Sequence, residues 1–230
     1  EDGGTPFYND DWIWDTYRAA HPLRVLTDSR TEELIIDSYL TMAGQMGTGW
    51  MPTFPEVNGD SRRMNSNHGV AMVADALAKG LTVDAARAYD ACRKAIEEKT
   101  LAPWSGNRAG DIDAFFKKHG YIPALRPGEE ETDTNVNPIE KRQPVAVTLG
   151  TSYDYWCLSR IAEYLGSKGQ GARNKRLQLS CSHKRRFNHN HILKSIYQLR
   201  HRLDQKFNIK RIRVRQLSKI CRKHKVRPQR

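Results

Sequence analysis

Between Gly166 and Gly171 the chain changes character, and the change limits what each side can build. The run Gly166-Ser167-Lys168-Gly169-Gln170-Gly171 is rich in glycine, a natural boundary between units. Residues 167–230 carry 21 Lys and Arg against a single acid, Asp204, for a formal charge of +20. Residues 1–166 carry 17 basic and 25 acidic side chains, for −8, and hold all five tryptophans. The net charge of +12 for the whole chain therefore describes neither part. A unit able to form an apolar core is expected over 1–166, and a basic segment of different origin over 167–230. The length of 230 residues allows one large domain or two small ones. No stretch approaches the ~18 to 20 apolar residues of a membrane span. No charged-then-apolar leader follows Glu1, so no signal peptide is visible. The four cysteines lie far apart, which excludes a dense disulfide scaffold and a CxxC zinc ribbon.

The first part reads as helices joined by loops. Asp10 to Ala20 forms a short helix that His21-Pro22 ends, because proline pushes the preceding residue out of the helical region. Ser29-Arg30-Thr31-Glu32 fits a capping box, opening a helix with Leu34, Ile35, Tyr39 and Met42 on one face. Gly47 to Arg63 is a loop. Asn67 to Lys79 is helical with Val70, Val73 and Leu77 on one side, and Gly80 caps its end. Thr82 caps the next helix, which runs through Ala85, Tyr89, Cys92 and Ile96. Asp111 to His119 is a shorter helix. Thr151 to Leu165 closes the series with Trp156, Ile161 and Leu165 as core candidates. No segment alternates with period two. About six helices of this length can pair as three antiparallel hairpins, half of a twelve-helix toroid. Long loops at 47–63, 100–110 and 126–147 point to functional segments.

Residues able to recognise a ligand gather near the amino end. On a helix, Trp14 and Arg18 share a face, as do Asp11 and Asp15. An indole beside a carboxylate suits a sugar. The ring packs on the apolar C–H face, and the carboxylate accepts from neighbouring hydroxyls. The competing reading makes both tryptophans core and both aspartates solvated. Gly47-Thr48-Gly49-Trp50-Met51-Pro52 places a second indole on a glycine-rich loop, where backbone can approach a ligand or simply turn. His68, at a helix start after Asn67, reads as a structural hydrogen-bonding residue or as a site residue. No GxGxxG, P-loop, GxSxG elbow or HExxH motif is present. Cys181-Ser182-His183 and His189-Asn190-His191 fit no standard zinc spacing, so no metal ligand is assigned.

Several of these blocks occur together in one family. Phe7-Tyr8 is followed by Trp14-Asp15-Thr16-Tyr17-Arg18-Ala19-Ala20-His21-Pro22-Leu23, a WDT-(F/Y)-R-x-x-HP pattern. Gly49-Trp50-Met51-Pro52, Asn67-His68 and Asp75-Ala76-Leu77-Ala78-Lys79-Gly80 come next. Gly120-Tyr121-Ile122-Pro123 and Ser152-Tyr153-Asp154-Tyr155-Trp156-Cys157-Leu158 complete the order. In this ordered set residues 1–166 resemble glycoside hydrolase family 92, the calcium-dependent exo-acting α-mannosidases. The resemblance implies a mainly α fold, here an incomplete (α/α)6 toroid; the basic tail that follows lies outside the resemblance and is expected from its own residues to be partly helical. The resemblance implies a mannose-containing glycan as substrate, inverting hydrolysis, and a secreted or periplasmic setting. It aligns Trp14 and Asp15 with a segment of the mannose pocket, and Trp50 and His68 near the same pocket.

The resemblance also implies what is missing. The family's catalytic acid lies in an E-G-N-x-W-Q-Y type motif and its base in a G-(N/D)-(D/E)-D-x-G type motif. Neither occurs in residues 1–230. No acid, base or calcium ligand is therefore carried over, and the chain alone is expected to be inactive. A half toroid would also leave apolar faces uncovered, at ~25 cal/mol per Å², so a marginally stable product is expected. Two origins remain open for 167–230. One is a frameshift, retained intron or misassembled gene. The other is a nucleic-acid-binding module, with Ile192, Ile196, Leu199, Leu203 and Phe207 at helical spacing among basic residues.

Overall fold

The computed structural model describes Gly4, residues 6–64 and residues 66–167. The basic segment lies outside the described residues from 168 on, and with it the expected partial helicity and nucleic-acid binding. The described part is mainly α, as expected. Its elements are α1 (Ile13–Thr16), α2 (Ala20–Thr27), α3 (Ser29–Gln45), α4 (Gly69–Ala78), α5 (Ala85–Glu97), α6 (Asp111–His119) and α7 (Pro144–Ser167). One small antiparallel pair, β1 (Pro55–Glu56) with β2 (Gly59–Asp60), interrupts the 47–63 loop.

The amino-terminal helix departs from expectation. The segment is split into α1 and α2, and His21-Pro22 lies inside the first turn of α2 instead of after a helix end. Proline is tolerated there because the first amides of a helix have no intrahelical acceptor to lose. The capping of α3 is shifted by one residue. Asp28, not Ser29, is the cap, and its carboxylate accepts from the Thr31 amide at 3.2 Å. Glu32, expected to close a capping box, is instead fully buried and paired with His21 and Arg24. Likewise Asp84 caps α5, accepting from the Arg87 amide at 3.0 Å, while the Thr82 amide donates to Glu33. In both cases a carboxylate near the helix start outcompetes the neighbouring hydroxyl, consistent with its charge at the positive end of the helix dipole.

α7 is longer than its apolar spacing shows, because it starts at Pro144. It packs against α4 and α5, while α3 packs on α2, α4 and α5. Ile36, Tyr39, Met72, Ile96, Phe116, Leu158 and Ile161 are among the fully buried side chains. Phe116 of α6 stacks on Tyr155 of α7 with centroids 6.4 Å apart. Cys92 and Cys157 are buried and free, and burial pushes the Cys157 thiol up to about 12. Trp156, expected in the core, is 42% exposed. It stacks on Tyr153 one turn earlier, and Leu149 extends the same exposed apolar face. The opposite face, with Asp154, Cys157, Leu158 and Ile161, is the buried one. A helix apolar on both faces is built for neighbours on both.

Carboxylates inside the fold hold the long loops. The Asp113 carboxylate accepts from the Leu101 and Gly110 amides, each at 2.7 Å. Glu131 receives both ends of the Arg142 guanidinium, a bidentate pair that fixes the 126–142 stretch. Gly106 lets Arg62 cross the backbone closely. A Cβ there would lie 2.1 Å from the Arg62 guanidinium.

Candidate functional site

Three elements converge around His68. It stands immediately before α4 and is largely buried. Its Nδ1 lies 2.7 Å from Oδ1 of Asp154 in the middle of α7. The other carboxylate oxygen accepts the Asn67 amide at 2.9 Å. Asp154 is 0% exposed, so both of its oxygens depend on these donors. The carboxylate only accepts, so Nδ1 carries a proton. Tyr17, just beyond α1, places its ring 4.1 Å from His68. Tyr153 meets the same imidazole edge-on at 5.9 Å and lies 6.1 Å from Tyr17. Burial, with Cys157 beside it, holds the Tyr153 hydroxyl protonated.

Trp14 and Asp15 sit on the short turn that Tyr17 ends. The Arg18 guanidinium lies 5.0 Å from the Trp14 ring centroid and 5.4 Å from that of Tyr17, a cation–π arrangement. Trp14 is half-buried, and Asp15 is exposed with its carboxylate unpaired among the described residues. Asp11 does not share a face with Asp15. It lies before α1 and turns inward, taking the Thr16 hydroxyl at 2.8 Å, the Tyr39 hydroxyl at 2.8 Å and His21 Nε2 at 2.7 Å.

Trp50 occupies a different position. It is 3% exposed, with Arg62 and Arg108 5.4 and 5.9 Å from its centroid. Its indole N–H is buried without an acceptor among the described residues. The next residue, Met51, lies against Gly69, where a Cβ would come within 2.9 Å of it. This contact ties the glycine-rich loop to the start of α4, beside His68. The structure thus brings the Trp14 turn to His68 through Tyr17, while Trp50 is buried in the core beside Met51.

Tyr17, Tyr153 and Asp154 were missed as site residues by sequence reasoning. A signal for Asp154 existed: a carboxylate inside the apolar helix run Tyr153-Asp154-Tyr155-Trp156 needs a buried partner. For Tyr17 the signal was the aromatic position of the WDT-(F/Y)-R-x-x-HP pattern, which does not say what the ring touches. As for calcium, no group of three or more His, Cys, Asp or Glu among the described residues is arranged to hold a metal ion. No described helix is long and apolar enough to cross a membrane.

The family model of the glycosyl hydrolase family 92 catalytic domain matches residues 1–217, running past Gly166 where the motif resemblance stops. Among solved structures, the chain is similar to a family 92 alpha-mannosidase from Bacteroides thetaiotaomicron in complex with mannoimidazole. The TM-score is 0.60 and the identity 22%, over 79% of this chain and 20% of that one. A second structure of that enzyme gives 0.56 and 24%, over 72% of this chain and 19% of that one. The chain therefore spans about a fifth of the length of these structures. No curated protein matches it. With the family model matched over most of its length, the chain belongs to glycoside hydrolase family 92, within the catalytic domain.

Proposed function

We propose that this chain is part of an α-mannosidase-type glycoside hydrolase, and that its Trp14 turn forms one wall of a mannose-binding pocket. The carrying observation is the approach of Tyr17 to His68 at 4.1 Å, which joins two separate sequence motifs in one place. Trp14 offers an indole face to the apolar side of a hexose, with Arg18 holding the ring. Asp15, exposed and unpaired among the described residues, accepts hydrogen bonds from adjacent hydroxyls. His68 contributes an oriented imidazole, and Asp154 acts as its positioning residue by holding a proton on Nδ1. Trp50 is buried in the core, and its neighbour Met51 packs on Gly69 beside His68.

Hydrolysis with inversion needs an acid for the leaving oxygen and a base for water on the opposite face. Motifs for neither occur in this sequence, so these residues bind and orient mannose without cleaving its bond. In this reading the described helices are half of an (α/α)6 toroid. The exposed face of Leu149, Tyr153 and Trp156 is where further helices of the domain sit.

The test extends the chain downstream with coding sequence that restores both carboxylate motifs. The extended protein is supplied with calcium and an α-1,2-linked mannobiose. It releases mannose, and Trp14→Ala or Asp15→Asn lowers kcat/KM at least tenfold. An extended, folded protein that releases no mannose, or variants as active as the parent, would refute the proposal.

A further inference from the structure

We infer that His21 is a positioning residue, a doubly protonated pin that locks the Trp14–Asp15 turn in place through Asp11. The inference deepens the mannose reading and rests on it for its functional consequence, but the pin itself is readable without any sugar.

The turn cannot hold itself. α1 has four residues, far below the ~12 at which an isolated helix becomes even marginally stable. Asp11 brackets it from the front. Its Oδ1 takes the Thr16 hydroxyl at the far end of α1, and its amide donates to Pro55 at 3.1 Å. What fixes Asp11 in turn is α2 and α3. Its Oδ2 receives Nε2 of His21 at 2.7 Å and the Tyr39 hydroxyl at 2.8 Å. The other nitrogen of His21, Nδ1, lies 2.9 Å from Oε1 of Glu32.

Both contacts need a proton on the imidazole side, because both partners are carboxylates. A ring with one N–H can satisfy only one of them. The second would set a lone pair against a buried carboxylate oxygen, in a place where His21 is 2% exposed and Glu32 fully buried. The charged groups around the ring are Asp11 before α1, Arg24 on α2, and Glu32 on α3, where Tyr39 stays neutral because burial and Asp11 raise its hydroxyl's pKa. Lys79, after α4, bonds the neighbouring Pro22 carbonyl and Asp75. Arg24 Nη1 lies 3.2 Å from Glu32 Oε2 and 3.4 Å from His21 Nδ1. The latter is a contact of two donors sharing one carboxylate. With His21 protonated, two cations face two anions. With one proton removed, a net negative charge is left buried. Burial opposes the imidazolium, but the hydrogen bonds and charges of Asp11 and Glu32 outweigh it and raise its pKa to about 9.

The chain is labelled at its tryptophan indoles, and its NMR signals are followed from pH 7 to pH 10.5. The proton lost on titration is that of Nε2, because Glu32 is fully buried while Asp11 is partly exposed and keeps the Tyr39 donor. The Trp12 and Trp14 signals therefore move together with a midpoint near pH 9, while those of Trp50, Trp104 and Trp156 stay in place. His21→Asn has an amide where Nδ1 was and keeps the Glu32 bond only. His21→Gln has one where Nε2 was and keeps the Asp11 bond only. At pH 7 the Asn variant shifts Trp12 and Trp14, and the Gln variant leaves them near their wild-type positions. Methyl α-mannoside affinity falls at least tenfold in wild type between pH 7 and pH 10, and at least tenfold at pH 7 in His21→Asn. Indoles that do not titrate in this range, or the two variants behaving alike, would overturn the pin. If His21→Asn unfolds, the wild-type titration and the Gln variant still decide. A chain whose indoles titrate as described but which never binds mannoside keeps the pin and removes the sugar reading.

Discussion

Removing the Asp154 carboxylate probes the centre of the site most severely. In Asp154→Ala two buried donors lose their acceptor: the Asn67 amide, bonded at 2.9 Å, and His68 Nδ1, bonded at 2.7 Å. Each buried group left unsatisfied costs about 1–3 kcal/mol, so the variant is destabilised by ~4 kcal/mol. That is a large share of the ~5–15 kcal/mol that holds a typical domain. Asp154→Asn behaves differently. Its carbonyl oxygen still accepts the Asn67 amide, and its NH2 bonds to the imidazole once the ring proton moves to Nε2. The cost falls to about 1–2 kcal/mol. Urea unfolding followed by helical circular dichroism measures both. With a slope of ~2 kcal/mol per M, Asp154→Ala lowers the midpoint by ~2 M and Asp154→Asn by less than ~1 M. A midpoint for Asp154→Ala within ~0.5 M of wild type would refute the reasoning. So would equal losses in the two variants, since they would show that the hydrogen-bond geometry does not matter.

Four further outcomes are expected. Stability of the chain depends on pH through His21. Its raised pKa gives a contribution fully present below the unfolded value of ~6.5 and lost as pH rises through about 9, some ~3 kcal/mol in all, readable as a falling urea midpoint at alkaline pH. Asp11 acts at the other end. Burial opposes its charge, but the His21 bond prevails and lowers its pKa, so its contribution is present above the unfolded value and lost below it in acid. Lys99 is 5% exposed with no carboxylate at ion-pair distance among the described residues, and burial lowers its pKa, so Lys99→Met leaves stability unchanged or raises it by about 1–2 kcal/mol in thermal unfolding. Trp156→Lys costs less than about 1 kcal/mol and reduces self-association in sedimentation, because the residue is 42% exposed and stacks on the half-exposed Tyr153.

The sequence made the helical class and most helices legible because their apolar spacing is strong. Asp111–His119 was located to the residue, since acids open it, bases close it and Gly120 follows with φ +79°. The amino-terminal split was not legible. Pro22 looks the same after a helix as inside its first turn, and only tertiary contacts from His21 and Glu32 decide between them. Caps slipped for a related reason: Asp28 beside Ser29, and Asp84 two residues past Thr82, are all competent. Trp156 was misplaced because α7 is apolar on both sides, so periodicity does not say which face is inward. In the site, Trp14 and Asp15 were read from their chemistry and His68 from its motif. Their linkage through Tyr17 is a contact between residues 51 positions apart, which no local pattern encodes.

The most direct measurement is saturation-transfer NMR of the chain with methyl α-mannoside and, as control, methyl α-galactoside. The account predicts saturation of the mannoside ring protons, displaced by excess mannose and lost in Trp14→Ala. Equal signals from both sugars, or from Trp14→Ala and the parent chain, would contradict it.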